Sequence, residues 1–111
     1  MATPINFSIR KGRTETITVT VENVTIWTGL VAKLFASLNK GDIPAIQLSG
    51  AINEIENELS FSFLSSSTKN LLASSLYYEI VLYKQDGSYV KDCNYGILSI
   101  EPVVVADPMS I

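Results

Sequence analysis

Residues 76–90, LYYEIVLYKQDGSYV, hold four of the chain's five tyrosines around an Asp86-Gly87 pair. How those side chains divide between two faces decides the fold. Asp-Gly between alternating apolar segments is a strong hairpin signal, because a two-residue type I′ turn needs positive φ at both central positions. On that geometry Gln85 faces Ser88, Tyr83 faces Val90, Ile80 faces Cys93 and Tyr78 faces Tyr95. One face then carries Leu76, Tyr78, Ile80, Leu82, Cys93, Tyr95 and Ile97, and it is the expected core face. The other carries Tyr77, Glu79, Val81, Tyr83, Val90, Asp92 and Asn94, a mixed surface for solvent or another chain. A slip of one residue would exchange the two sets. Tyr78 and Tyr95 are thus expected in the core. Tyr77, Tyr83 and Tyr89 are candidate contact residues, since outward tyrosines offer rigid contact area at low entropic cost. Lys84 and Asp86 join them at the hairpin tip.

The same period-two pattern runs through the amino-terminal half. Ile5, Phe7 and Ile9 share one parity, and after Gly12 the run TETITVTV sets Ile17, Val19 and Val21 against Thr16, Thr18 and Thr20. Alternating β-branched residues mark strands with one buried face. Gly12 makes the opening either a hairpin or two strands joined by a sharp bend. Leu30, Leu34 and Leu38 are spaced for a helix, but Leu30, Ala32, Leu34, Ala36 and Leu38 also alternate. The neighbouring strands and the NKGDIP stop favour a strand. Residues 45–63 supply two more short strands around the polar connection NEIEN, with Leu59, Phe61 and Phe63 inward and Ser60 and Ser62 outward. Residues 65–75, SSSTKNLLASS, break the alternation. Ser and Thr68 suit a helix N-cap, and Leu71 and Leu72 fit a short helical turn. A last strand is expected from about Ile97 to Val105, bent at Pro102, which has no N–H for a ladder and belongs at an edge. Residues 107–111 read as an exposed tail, either frayed or docked on a neighbour. Trp27, in NVTIWTG, either plugs one end of the sandwich or stands exposed as a contact. The whole chain, residues 1–111, reads as a single domain.

Composition narrows the function. The 47% apolar and 17% charged content suits a compact domain. Eight basic against eleven acidic residues give a net charge of −3, a poor counterpart for a phosphate backbone, so no nucleic-acid partner is expected. No apolar run approaches the roughly 18 residues that span a bilayer, and no membrane partner is expected. The chain reads as made in a cytoplasm. With no histidine and one cysteine, the commonest general base, the commonest metal ligand and any disulfide are missing. No catalytic residue, metal or cofactor is expected. Glu54, Glu56 and Glu58 would repel one another on one strand face and read as a solvated turn, and the segment lacks the ligand pattern and glycine of a calcium loop. The six glycines fall singly, one per bend, and form no phosphate cradle.

Several of these segments together resemble a known family. WTGLVAKLFA at residues 27–36 and LLASSLYYEIVLYKQDGSYVKDCNYGILSIEPVVV at residues 71–105 are similar to small immunoglobulin-like domains of tailed bacteriophages, found in baseplate upper proteins, fibre attachment domains and capsid accessory proteins. The matching positions are Thr28, Gly29, Ala32 and Lys33, then Leu71 and Leu72, Tyr77, Tyr78, Ile80 and Leu82, Asp86 and Gly87, and Gly96. Ser74-Ser75 stands where the family has a Pro-Gly or similar turn. The resemblance implies an all-β, immunoglobulin-like antiparallel sandwich of seven to eight strands with one short helical turn. It also implies a non-enzymatic virion protein, a capsid decoration or head-tail accessory subunit, bound to major capsid, tail or fibre proteins and to copies of itself. Trp27, Tyr77, Tyr83, Lys84, Asp86, Tyr89 and Pro102 are the expected interface residues. Two other roles fit the composition: a carbohydrate- or receptor-binding domain stacking sugars on Trp27 and the outward tyrosines, and a small protein inhibitor.

Overall fold

The structure, a computed structural model, describes residues 3–22, 24, 26–68 and 74–101. Their strands are β1 (Thr3–Pro4), β2 (Phe7–Arg10), β3 (Glu15–Thr20), β4 (Leu30–Ser37), β5 (Ile46–Ser49), β6 (Ala51–Asn53), β7 (Glu58–Phe63), β8 (Ser75–Lys84) and β9 (Tyr89–Glu101), with one turn of helix, α1 (Ser65–Thr68), before β8. They form two sheets. The larger has the order β1-β9-β8-β4-β5, with β2 also on β9, and the smaller has the order β3-β7-β6. This is an immunoglobulin-like sandwich. Because β1 and β2 are two pieces of one edge line beside β9, its nine strands make eight lines.

The alternation of the sequence supplies the core. Leu59, Phe61 and Phe63 from β7, Leu34 and Ala36 from β4, and Ile80 and Leu82 from β8 are all fully buried. Each large aliphatic or phenyl side chain in that set stabilises the fold by roughly 1.5–3 kcal/mol relative to exposure. Residues 30–37 are a strand, as their neighbours require, although Leu38 lies past its end and is exposed.

Two short connections, residues 11–14 and Gly50, are sheet changes and not hairpins. Phe7–Arg10 pairs with Leu98–Glu101 in parallel, whereas Glu15–Thr20 pairs with β7 in the other sheet. The opening is therefore two strands joined by a sharp bend, and the sandwich is not wholly antiparallel. Gly12 makes the bend at φ 74°, and its N–H donates to Thr68 Oγ1 at 2.8 Å. Thr68 is thus the fully buried end of α1 and no N-cap. Leu71 and Leu72 lie outside the described residues. At Gly50 the chain crosses again: β5 pairs with β4 and β6 with β7, so residues 45–63 hold three strands where two were expected. NEIEN is the polar turn between β6 and β7. Asn53 Oδ1 accepts from the N–H groups of Ile55 and Glu56 at 3.2 Å, and Asn57 takes a left-handed φ of 55°, which asparagine tolerates.

The β8–β9 ribbon departs most from expectation. Its turn is one residue longer than a type I′ hairpin. Gly87 N–H donates to Lys84 O, and Lys84 N–H to Ser88 O. Only Gly87, at φ 92°, is left-handed, while Asp86 is not. This is a type I turn closed by a glycine bulge. Tyr83 consequently faces Tyr89. Further along, the ladder shifts twice, leaving Val90 and Cys93 as extra residues on β9. The expected register survives only at Leu82–Lys91 and Val81–Asp92; beyond, Ile80 faces Asn94 and Tyr78 faces Gly96. Tyr95 and Ile97 therefore point outward and are 47% and 40% exposed, while Asn94 turns inward and is buried. β9 runs unbroken from Tyr89 to Glu101, so no separate last strand begins at Ile97. Pro102 and the tail lie outside the described residues.

Candidate functional site

The bulge at Cys93 creates the surface of interest. By setting Tyr95 and Ile97 on the outer face of the larger sheet, it aligns them with outward residues of β8 and β4. Three rows result: Ser37–Tyr77–Ile97, Phe35–Glu79–Tyr95 and Lys33–Val81–Asp92. A groove of about 620 Å³ lies over the first two, lined by Phe35, Lys40, Tyr77, Glu79, Asp92 and Tyr95 among others. Tyr77 and Tyr95 are exposed, and Lys40 Nζ sits 5.2 Å above the Tyr77 ring centre, an attractive cation–π position. The groove ends at a ridge where Phe35 meets Tyr83 edge-on at 6.4 Å. Val81 lies between them on the same face and is only 3% exposed, which explains why an outward valine is buried. Beyond the ridge a second hollow of about 520 Å³ is bordered by Val31, Lys33, Gln47 and Lys84.

Gly96 holds the edge of this surface in place. A Cβ there would collide with the Ile5 carbonyl oxygen and lie 2.9 Å from Asn6 Oδ1. Its absence lets the link between β1 and β2 press onto β9. There Asn6 Oδ1 accepts from Ile97 N–H at 3.0 Å, and Ile5 O accepts from the Tyr78 hydroxyl at 2.5 Å. The Tyr78 ring is buried and tilted against Phe7 at 5.7 Å, and burial pushes its hydroxyl up to about 12. Tyr78 is a structural residue, as expected.

The expected interface residues do not form one patch. Trp27 is 7% exposed, inside the core, with Nε1–H donating to Asn57 Oδ1 at 3.3 Å. It plugs one end of the sandwich and presents no contact surface. Tyr77 lies in the larger groove, Tyr83 is half-buried on the ridge, and Lys84 borders the second hollow. Tyr89 is 60% exposed near the turn. Its hydroxyl accepts from Asp92 N–H at 3.1 Å, and its pKa is raised by local desolvation and then by the Asp92 charge. Asp86 holds the turn itself: Oδ1 accepts from Ser88 N–H at 2.8 Å, and hydrogen bonds from Ser88 lower its pKa. Tyr95, Glu79 and Phe35 were not expected as site residues. No sequence signal gave the bulge that brings Tyr95 out, though Phe35 and Glu79 were legible as outward residues once strand parity was known.

The opposite face of the sandwich is different in kind. Thr16 pairs with Ser62 and Thr18 with Ser60 through hydroxyl–hydroxyl bonds of 3.1 Å. These rows carry neither charge nor aromatic area. Among the described residues no three His, Cys, Asp or Glu side chains gather as a metal site. Cys93 is buried, and burial raises its thiol pKa, so it has little thiolate character. What the aromatic groove offers chemically is stacking, apolar contact and carboxylate hydrogen bonding.

No protein-family model matches the chain, and no curated protein matches it. Among solved structures it is similar to the crystal structure of red sea bream transglutaminase, at 13% identity and a TM-score of 0.62, with 86% of this chain and 15% of that one covered. The chain thus corresponds to a small part of that enzyme, and the likeness is one of fold: an all-β sandwich.

Proposed function

We propose that the chain is a non-enzymatic virion protein of a tailed bacteriophage, a capsid auxiliary or head-tail accessory subunit, that docks on other virion proteins and on copies of itself. The family reading rests on the sequence resemblance alone. The observation that carries the docking role is the outer face of the larger sheet, where Tyr77, Tyr95 and Ile97 are each 40% exposed or more beside a groove. Exposed aromatic area in a hollow is the composition of an interface centre. Function of this type needs surface complementarity and no catalytic group. The sugar-stacking role loses its tryptophan to the core and keeps only the tyrosines.

The test is co-sedimentation with particles produced from a phage genome that carries this chain. The expected result is a stoichiometric band in purified virions for the wild type, and its loss for the double variant Tyr77→Ser/Tyr95→Ser, whose folding is checked by circular dichroism. Absence of the wild-type chain from particles overturns the virion role. Retention of the folded double variant overturns the choice of face.

A further inference from the structure

We propose that the groove takes an arginine side chain of a protein partner, with Glu79 as the carboxylate and Tyr95 and Phe35 as aromatic walls, beside the Tyr77 ring that Lys40 covers. This deepens the docking role and rests on it. Glu79 is directly opposite Phe35 on β4 and Tyr95 on β9, a placement that sets Cβ atoms about 4.5–5.5 Å apart on either side. Tyr77 is two residues back along β8 on the same face. Glu79 is exposed, and among the described residues it makes no ion pair; the pair seen there joins Arg10 to Glu15.

The groove carries more acid than base. Lys33 reaches across to Ser49 Oγ at 3.4 Å, towards β5, whereas Lys40 lies over Tyr77 of β8. Glu79 and Asp92 line the groove with Lys40 as its one cation among the described residues, so two carboxylates stand against one ammonium. The complement of the carboxylate left over is a cation, and Lys40 shows that a ring of this groove already accommodates one. Arginine suits the remaining place better than lysine. Its planar guanidinium stacks on a ring while directing two N–H groups at one carboxylate, whereas an ammonium can do only one of these well. The groove opens along the sheet, so the side chain can enter from a protein surface.

The test is an amide NMR titration of the whole chain at low salt with Nα-acetyl-arginine N-methylamide, set against its citrulline counterpart, which keeps the shape and lacks the charge. The expected result is saturable shifts centred on Tyr77, Glu79 and Tyr95 for the arginine compound alone. Glu79→Gln should weaken the effect about fivefold, the loss of one exposed charge-assisted pair. Tyr95→Ser, with its carboxylate intact, should weaken it as well. Equal shifts with citrulline, shifts centred on the Glu54–Glu56 turn, or indifference to both substitutions would overturn the arginine site. If that happens while Tyr77→Ser/Tyr95→Ser still drops out of particles, docking through this face stands without arginine. If arginine binds as expected and the wild type is missing from particles, the site stands and the virion role falls.

Discussion

Replacing Gly50 with alanine tests the packing at the point where the chain leaves one sheet for the other. A Cβ built there lies 2.6 Å from Phe61 Cε1 and 2.8 Å from Cζ, while carbon atoms prefer about 3.5–4.0 Å. Phe61 is fully buried, so its ring has no solvent to swing into and must shift on the order of 1 Å against its neighbours. Overpacking of this kind costs about 1–3 kcal/mol. Gly50 is not among the left-handed glycines, so alanine also gains about 0.4–1 kcal/mol from a less disordered unfolded chain. The balance is a loss of about 1.5 kcal/mol, or roughly 6 °C in Tm for a domain of this size. Thermal and urea unfolding followed by Trp27 fluorescence would measure it, since that ring is buried only in the native state. Phe61→Leu removes the colliding edge and carries its own cavity cost. The double variant should therefore recover about 1 kcal/mol relative to additivity. An unchanged or raised Tm for Gly50→Ala, or strict additivity with Phe61→Leu, would refute the reasoning.

Other outcomes follow from single contacts. Thr68→Val keeps the shape but strands the buried N–H of Gly12, and should cost about 1–3 kcal/mol in urea unfolding, with Thr68→Ser close to wild type. Cys93 should resist an aromatic disulfide reagent at pH 8 in the folded chain and react stoichiometrically in denaturant; fast labelling of native protein would place the bulge wrongly. Tyr78 is held neutral by burial, with its pKa raised to about 12 from an ordinary value near 10. The folded state therefore keeps its proton where the unfolded state releases it. That contribution is complete below about pH 10 and disappears as pH rises through about 12. Denaturant midpoints measured between pH 9 and 12 should fall for the wild type, and less steeply for Tyr78→Phe.

The fold was legible wherever alternation met a buried face. Leu59, Phe61 and Phe63, or Ile17, Val19 and Val21, announce their parity without help from the rest of the chain. Partnership was less legible. Phe7 and Ile9 read as a strand but not as a parallel neighbour of residues 98–101, because period two carries no direction. The site was hidden for a sharper reason. Asp86-Gly87 marks a turn, but both a two-residue loop and a three-residue loop use that pair, and they differ by one step of register. Val90 and Cys93 then bulge without glycine or proline to mark them, so Tyr95 and Asn94 exchange faces. Trp27 was open between plug and contact on sequence alone, and only Asn57, 30 residues away, decides it.

The parallel pairing of β2 with β9 also orders events during synthesis. Asn6 and Ile97, joined by a hydrogen bond, are 91 residues apart, so the edge of the larger sheet cannot close until nearly all of the described chain has left the ribosome. Until then β2 is an unsatisfied strand beside a half-built sandwich, able to borrow an edge from another nascent copy. Non-local closure of this kind slows folding. The late arrival of β9 also means that the groove is the last surface completed: Tyr95 and Ile97 come with the closing strand, and only a finished domain can display it.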